Sequence, residues 1–280
     1  MAALSLLCGC ASIPKEQLDA YVSSVGQAKQ AGQTMLADWR SARAESDRRA
    51  VGRAAAPADP IPLVRPPGAP GNGGVLSPED TRLLAWEAIA EYTAVLARLN
   101  AGESVDEVKQ TTGRLFDLAT SIAGSAFPGA GALGPMLKEL AGQIEQARTV
   151  AEFKKAVRKG APIIAKIISE VLLEDVNSHY TLRATLANED LAHVDLENNL
   201  DNDGKKVKKA RIIDESKAFS EALDSYAALL SKTKLSLDAM ERAVDQPIDF
   251  ADTANRLLNL SSSLKQHWAA YENARREARN

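Results

Sequence analysis

Eight residues late in the chain, Phe219, Leu223, Tyr226, Leu230, Thr233, Leu237, Met240 and Val244, follow one another at alternating steps of four and three. Only an α-helix turns that spacing into one continuous stripe, because 3.6 residues per turn bring positions i, i+4 and i+7 to the same side. Near the other end, Leu18, Val25, Gly32 and Trp39 recur every seven residues, with Tyr21, Ala28, Met35 and Ala42 filling the intervening positions. Phe250, Leu257, Leu264 and Tyr271 repeat the interval of seven in the last thirty or so residues. Each series predicts a long helix with an apolar, coiled-coil-like seam. Aromatic residues make up only 5% of the chain. No alternating apolar and polar run offers a strand, so the sequence predicts an all-α protein.

Punctuation residues divide the pattern. Ser12 and Pro14 suit a helix start, and the first helix is expected to run to about Arg53. Pro57, Pro60, Pro62, Pro66, Pro67 and Pro70, followed by Gly71, Gly73 and Gly74, exclude helix between residues 56 and 76. That segment predicts an extended connector crossing the bundle from one end to the other. Ser77-Pro78 opens a second helix that closes at Asn100-Ala101-Gly102, and Ser104-Val105-Asp106-Glu107 has the form of a capping box for a third. Thr149-Val150-Ala151-Glu152 is another capping box, expected to open a short helix ending at Gly160. Pro162 then begins a long helix carrying Ile163, Ile164, Ile167, Ile168, Val171, Leu172 and Val176. Asp201-Asn202-Asp203-Gly204 is a turn, and Pro247 ends the heptad helix. Short connections make antiparallel neighbours. The expected architecture is an elongated antiparallel helical bundle over residues 77–280, with the long first helix of residues 10–55 packed alongside.

The two cysteines, Cys8 and Cys10, both precede the first helix, so no disulfide can staple the body. Leu7-Cys8-Gly9-Cys10 closes a short apolar run and resembles the lipobox of bacterial lipoproteins, with an aliphatic residue three before the cysteine and a small residue next to it. The resemblance implies a signal segment at residues 1–9, cleavage after Gly9, and acylation of Cys10. Small residues fit the peptidase site, and the thiolate is the nucleophile that takes the lipid. Several acyl chains give stable anchoring, at roughly 0.8 kcal/mol per buried methylene. A signal normally carries a positive n-region, and none precedes this run, which points to a translation start upstream. Ala11 rather than aspartate after the cysteine implies the outer membrane under enteric-type sorting.

No catalytic constellation assembles from the remaining residues. Gly129 and Gly134 have phosphate-loop spacing, but Pro135 and Met136 stand where lysine and a hydroxyl residue are required. Asn199, Asp201, Asp203 and Gly204 imitate the start of a calcium loop, yet Ala210 occupies the twelfth position, where glutamate is needed. His179, His193 and His267 are scattered and read as helix-surface or seam residues, and the many carboxylates read as solvated faces. Neither a metal nor another cofactor is expected. The formal net charge of −3 argues against nucleic acid as a partner.

Two features point to contacts outside the chain. The run from Leu118 to Leu137 lacks any charge and includes Ile122, Phe127, Leu133 and Met136, but glycines and prolines interrupt it. It reads as a buried helix-turn-helix corner, or as an apolar hairpin that meets a partner or enters a bilayer. Lys205, Lys206, Lys208, Lys209 and Arg211 form a basic cluster, which reads as pairing with Asp195 and Glu197 across the turn or as an electrostatic landing site for anionic lipid or glycan. The expectation is a non-enzymatic, lipid-anchored envelope scaffold or adaptor for protein partners. The alternative is a membrane-active protein that inserts residues 118–137.

Overall fold

The computed structural model describes residues 15–54, 78–100, 103–123, 130–147, 149–243 and 251–279. Its elements are α1 (Lys15–Ala54), α2 (Pro78–Asn100), α3 (Val105–Ala123), α4 (Ala130–Gln146), α5 (Val150–Ile167), a π-helical turn (Ile168–Leu173), α6 (Glu174–Leu196), α7 (Asn202–Ala243) and α8 (Ala251–Arg279). No strand occurs among the described residues, and the protein is an all-α helical bundle.

The heptad residues build the core. In α1 both seven-residue series are buried, from Leu18 and Tyr21 to Trp39 and Ala42. In α7 Phe219, Leu223, Tyr226, Leu230, Thr233 and Leu237 are buried, and in α8 Leu257, Leu264 and Tyr271. Cross-helix bonds fix the directions. Arg211 reaches the Glu277 carbonyl and Ser225 meets His267, so α7 and α8 are antiparallel. Asp38 meets His179, and Arg49 meets Glu189, so α1 and α6 run parallel. Tyr21 meets Ser236, far along α7. Ser236 spends its own proton on the Thr233 carbonyl, so Tyr21 is the donor in this buried pair.

α2 lies antiparallel to α1, through Lys29–Glu87 and Arg40–Asp80 pairs. The connector itself lies outside the described residues, but its flanking helices correct the expected crossing. α2 begins beside Arg40 rather than at the opposite end of α1, about 20 Å back along that helix from Ala54. Close packing of α1 on α2 depends on Gly32, where an added Cβ would sit 2.4 Å from the Trp86 indole nitrogen.

The second correction concerns Gly160 and Pro162. Thr149 caps α5 with the full capping box, as its sequence predicts, but the helix passes through both residues and continues to Leu196. Gly160 serves close approach instead of termination: a Cβ there would lie 2.5 Å from the Tyr92 ring and 2.8 Å from Leu140. Pro162 sacrifices one helical hydrogen bond. Burial of Ala161, Ile163, Ile164, Ile167 and Ile168 on both sides of the break offsets that loss. The π turn then widens the helix by one residue and shifts the side chains beyond it around the axis.

Two glycines of α1 should respond oppositely to alanine. Gly26 is exposed with nothing within 4 Å of an added Cβ, so Gly26→Ala should stabilise the fold by about 0.5–1 kcal/mol. Gly32→Ala gains the same helix propensity but forces Trp86 to move, and should destabilise by about 1–3 kcal/mol. Urea denaturation of the two variants beside the parent checks both signs.

Candidate functional site

Beyond the π turn, α6 presents His179 and Arg183 to α1, at the level where α2 begins and α6 takes over the packing against α1. The side chain that receives them is Asp38, which is only 5% exposed. Its carboxylate accepts from Arg183 Nε at 2.9 Å and from Arg183 Nη2, from His179 Nε2 at 3.1 Å, from Arg275 Nη1 at 3.2 Å and from the Tyr271 hydroxyl at 3.3 Å. α1, α6 and α8 thus converge on one anion. Aromatic rings enclose it: His179 stacks on Trp39 and meets Phe219 edge-on, Phe219 meets Tyr271, and Tyr271 meets Trp268. Arg82 of α2 lies 3.9 Å over the Trp39 ring.

The protonation states follow from this geometry. Burial opposes ionisation of Asp38, but the hydrogen bond from His179 and the adjacent Arg183 guanidinium outweigh it and hold the carboxyl below its ordinary range. Burial lowers the His179 pKa more than the Asp38 carboxylate raises it, so the imidazole is neutral. A carboxylate only accepts, and Nε2 therefore carries the proton. Burial, with the negative charge of Asp38, keeps the Tyr271 hydroxyl protonated well beyond the ordinary phenol range.

An open groove of about 400 Å³ lies between α6 and α7 beside this cluster, within the roughly 300–1,000 Å³ range of small-molecule sites. Arg183, Phe219 and Tyr271 line it, and Ala184, Ala187, Ser216 and Ser220 line its walls. Lys208–Glu197 and Lys209–Asp195 pairs, both at 2.5 Å, join the helices near their turn. The basic cluster is therefore engaged across the hairpin. Asp201 caps α7 by accepting the Gly204 N–H at 2.7 Å, a plain turn role.

Leu118, Ile122, Met136 and Leu137, singled out from sequence, are not brought into this site. Ile122 and Leu137 are buried in the core, with Leu118 and Met136 half-buried against it. Leu133 lies on α4, and Cys10 and Phe127 lie outside the described residues. No described helix is long and apolar enough to cross a membrane. Among the described residues no group of three or more histidine, cysteine or carboxylate side chains is placed to hold a metal ion. His179 is a buried seam residue, one of the two places its spacing allows, whereas Asp38 departs from the solvated face expected of a carboxylate. A usable signal existed: Ser24, Ala31 and Asp38 form a third seven-residue row in α1, adjacent to the apolar seam. No family model, curated protein or solved structure matches the chain.

Asp38→Asn leaves two guanidinium groups without their carboxylate and should cost about 3–5 kcal/mol in urea denaturation at pH 7. The pH dependence has two stages. His179 has a depressed folded pKa, so stability is full above the ordinary value of 6.5 and begins to drain below it, as the unfolded chain takes a proton the folded state refuses. The depressed pKa of Asp38 adds a second loss below the ordinary value of 3.8. His179→Gln should remove the first stage and Asp38→Asn the second in denaturation midpoints measured from pH 7 to pH 3.

Proposed function

We propose that this protein is a non-enzymatic, lipid-anchored scaffold of a bacterial cell envelope, holding protein partners at a distance from the membrane. The observation that carries the reading is the distribution of exposed apolar side chains. Among the described residues, Tyr180, Leu196, Val207, Ile213 and Leu235 are the exposed large hydrophobics, and all lie on the α6–α7 hairpin. Leu196 and Val207 sit at the tip of that hairpin, and there the exposed side chains offer a partner an apolar contact.

The direction of α1 supports the tether. A lipid on Cys10 would place the start of α1 at the membrane, and α1 and α6 run parallel. The α6–α7 turn then stands at the membrane-distal end, about 60 Å away along the 40 residues of α1. Leu196 and Val207 flank that turn at 73% and 54% exposure. The body faces the periplasm, and Ala11 favours the outer membrane as its support. Insertion of residues 118–137 into a bilayer would require expelling Ile122 and Leu137 from the core, which makes the scaffold the better reading.

Expressed from its own locus, the protein should fractionate with membranes and yield a mature amino-terminal peptide whose Cys10 carries acyl chains by mass spectrometry. A photo-crosslinking residue at position 196 or 207 should capture a defined envelope protein, and Leu196→Lys with Val207→Lys should abolish capture from a neighbouring position. An unmodified Cys10 would sink the tether, and absence of any defined adduct would sink the scaffold.

A further inference from the structure

We propose that the groove between α6 and α7 binds a fatty acid, an apolar chain bearing one carboxylate head. This goes beyond the scaffold reading and does not depend on it. The walls are unusual for two helices joined by a short turn. Small side chains facing one another normally let helices close up. Here Ala184 and Ala187 on α6 and Ser216 and Ser220 on α7 leave about 400 Å³ open, because ion pairs near the turn and the His179–Phe219 contact set the spacing on either side. Phe219 and Tyr271 lie buried beneath the groove, while Tyr180 and Ile213 bring apolar surface to its rim at 51% and 55% exposure.

Charge selects the head. Arg183 spends Nε and Nη2 on Asp38, and the planar guanidinium turns its third nitrogen, Nη1, away from that carboxylate. Nη1 has no hydrogen-bond partner among the described residues, although Arg183 lines the groove and is 13% exposed. The Ser220 hydroxyl and the Lys217 ammonium also line the groove and likewise have no partner among the described residues. The two groove carboxylates are already engaged, Asp190 with Arg49 at 2.8 Å and Glu215 with Arg275 at 4.0 Å. The Arg183 edge, Ser220 and the exposed Lys217 therefore flank a groove whose surface is more apolar than polar. A carboxylate fits the single free edge of Arg183 with Ser220 as a further donor.

The test is calorimetric titration of the full chain with dodecanoate, dodecanol and dodecyltrimethylammonium, each below its micelle-forming concentration. Dodecanoate should bind saturably at one site, about tenfold or more tighter than dodecanol, with no binding of the cation. Ala184→Trp fills the groove without touching Asp38 and should abolish binding while leaving the thermal unfolding midpoint within a few degrees. Lys217→Glu, a surface change, should weaken dodecanoate several-fold and leave dodecanol unaffected. Equal binding of all three amphiphiles, undiminished binding by Ala184→Trp, or no binding at all would overturn the proposal. So would preferential binding to phosphatidylglycerol vesicles, which would assign the surface to a bilayer. Neither variant alters Leu196 or Val207, so loss of the ligand and loss of a protein partner are separately readable.

Discussion

An ionised carboxylate that is removed from water must recover its hydration from the protein, and Asp38 does so through donors on two other helices. Arg183 and His179 come from α6, and Tyr271 and Arg275 from α8, so α1 is held at one fixed height against both. Apolar seams resist separation but tolerate sliding by a turn, because one leucine layer resembles the next. A buried ion with directional donors does not tolerate it. The hydrophobic residues therefore supply the cohesion of the bundle, and Asp38 supplies its register. The neutral state of His179 belongs to the same device, since burial, with Arg183 and Arg82 nearby, opposes a further positive charge in an enclosed space.

The helical class and the faces of the long helices were legible because seven-residue spacing is a geometric signal that survives without any neighbour. Tyr21, Val25, Tyr226, Leu257 and Tyr271 all lie where their periodicity puts them. Gly160 and Pro162 misled for a physical reason: propensity describes a helix in water, whereas these residues sit in a rod with a buried isoleucine stripe and a tyrosine pressed against the glycine. Tertiary burial overrides a local penalty of a few kcal/mol. The row that holds Asp38 was legible, but the partners that let the carboxylate be buried were not. Its burial is decided by Arg183 and Arg275, more than a hundred residues away in sequence, and an isolated helix gives no sign of such partners.

The groove illustrates the same division. Alanines and serines at 184, 187, 216 and 220 are ordinary residues for tightly packed helices, and the sequence alone gives them no further meaning. Their role changes because contacts elsewhere on the hairpin fix the separation. Lysine–carboxylate pairs hold the turn, and the ring of Phe219 against His179 holds the other flank. Small residues between two fixed points become empty space instead of close contact.

The wide turn at residues 168–173 carries a consequence for how such a molecule could arise. One residue in a helix corresponds to about 100° of rotation. Removing a single residue there would restore a regular helix and swing every later side chain of α6 by that angle, carrying Arg183 and His179 off the face that meets α1. The buried carboxylate and the insertion that aims its partners are therefore useless singly. A lineage that lost the extra residue would have to lose the charge with it, and would be left with a plain greasy seam.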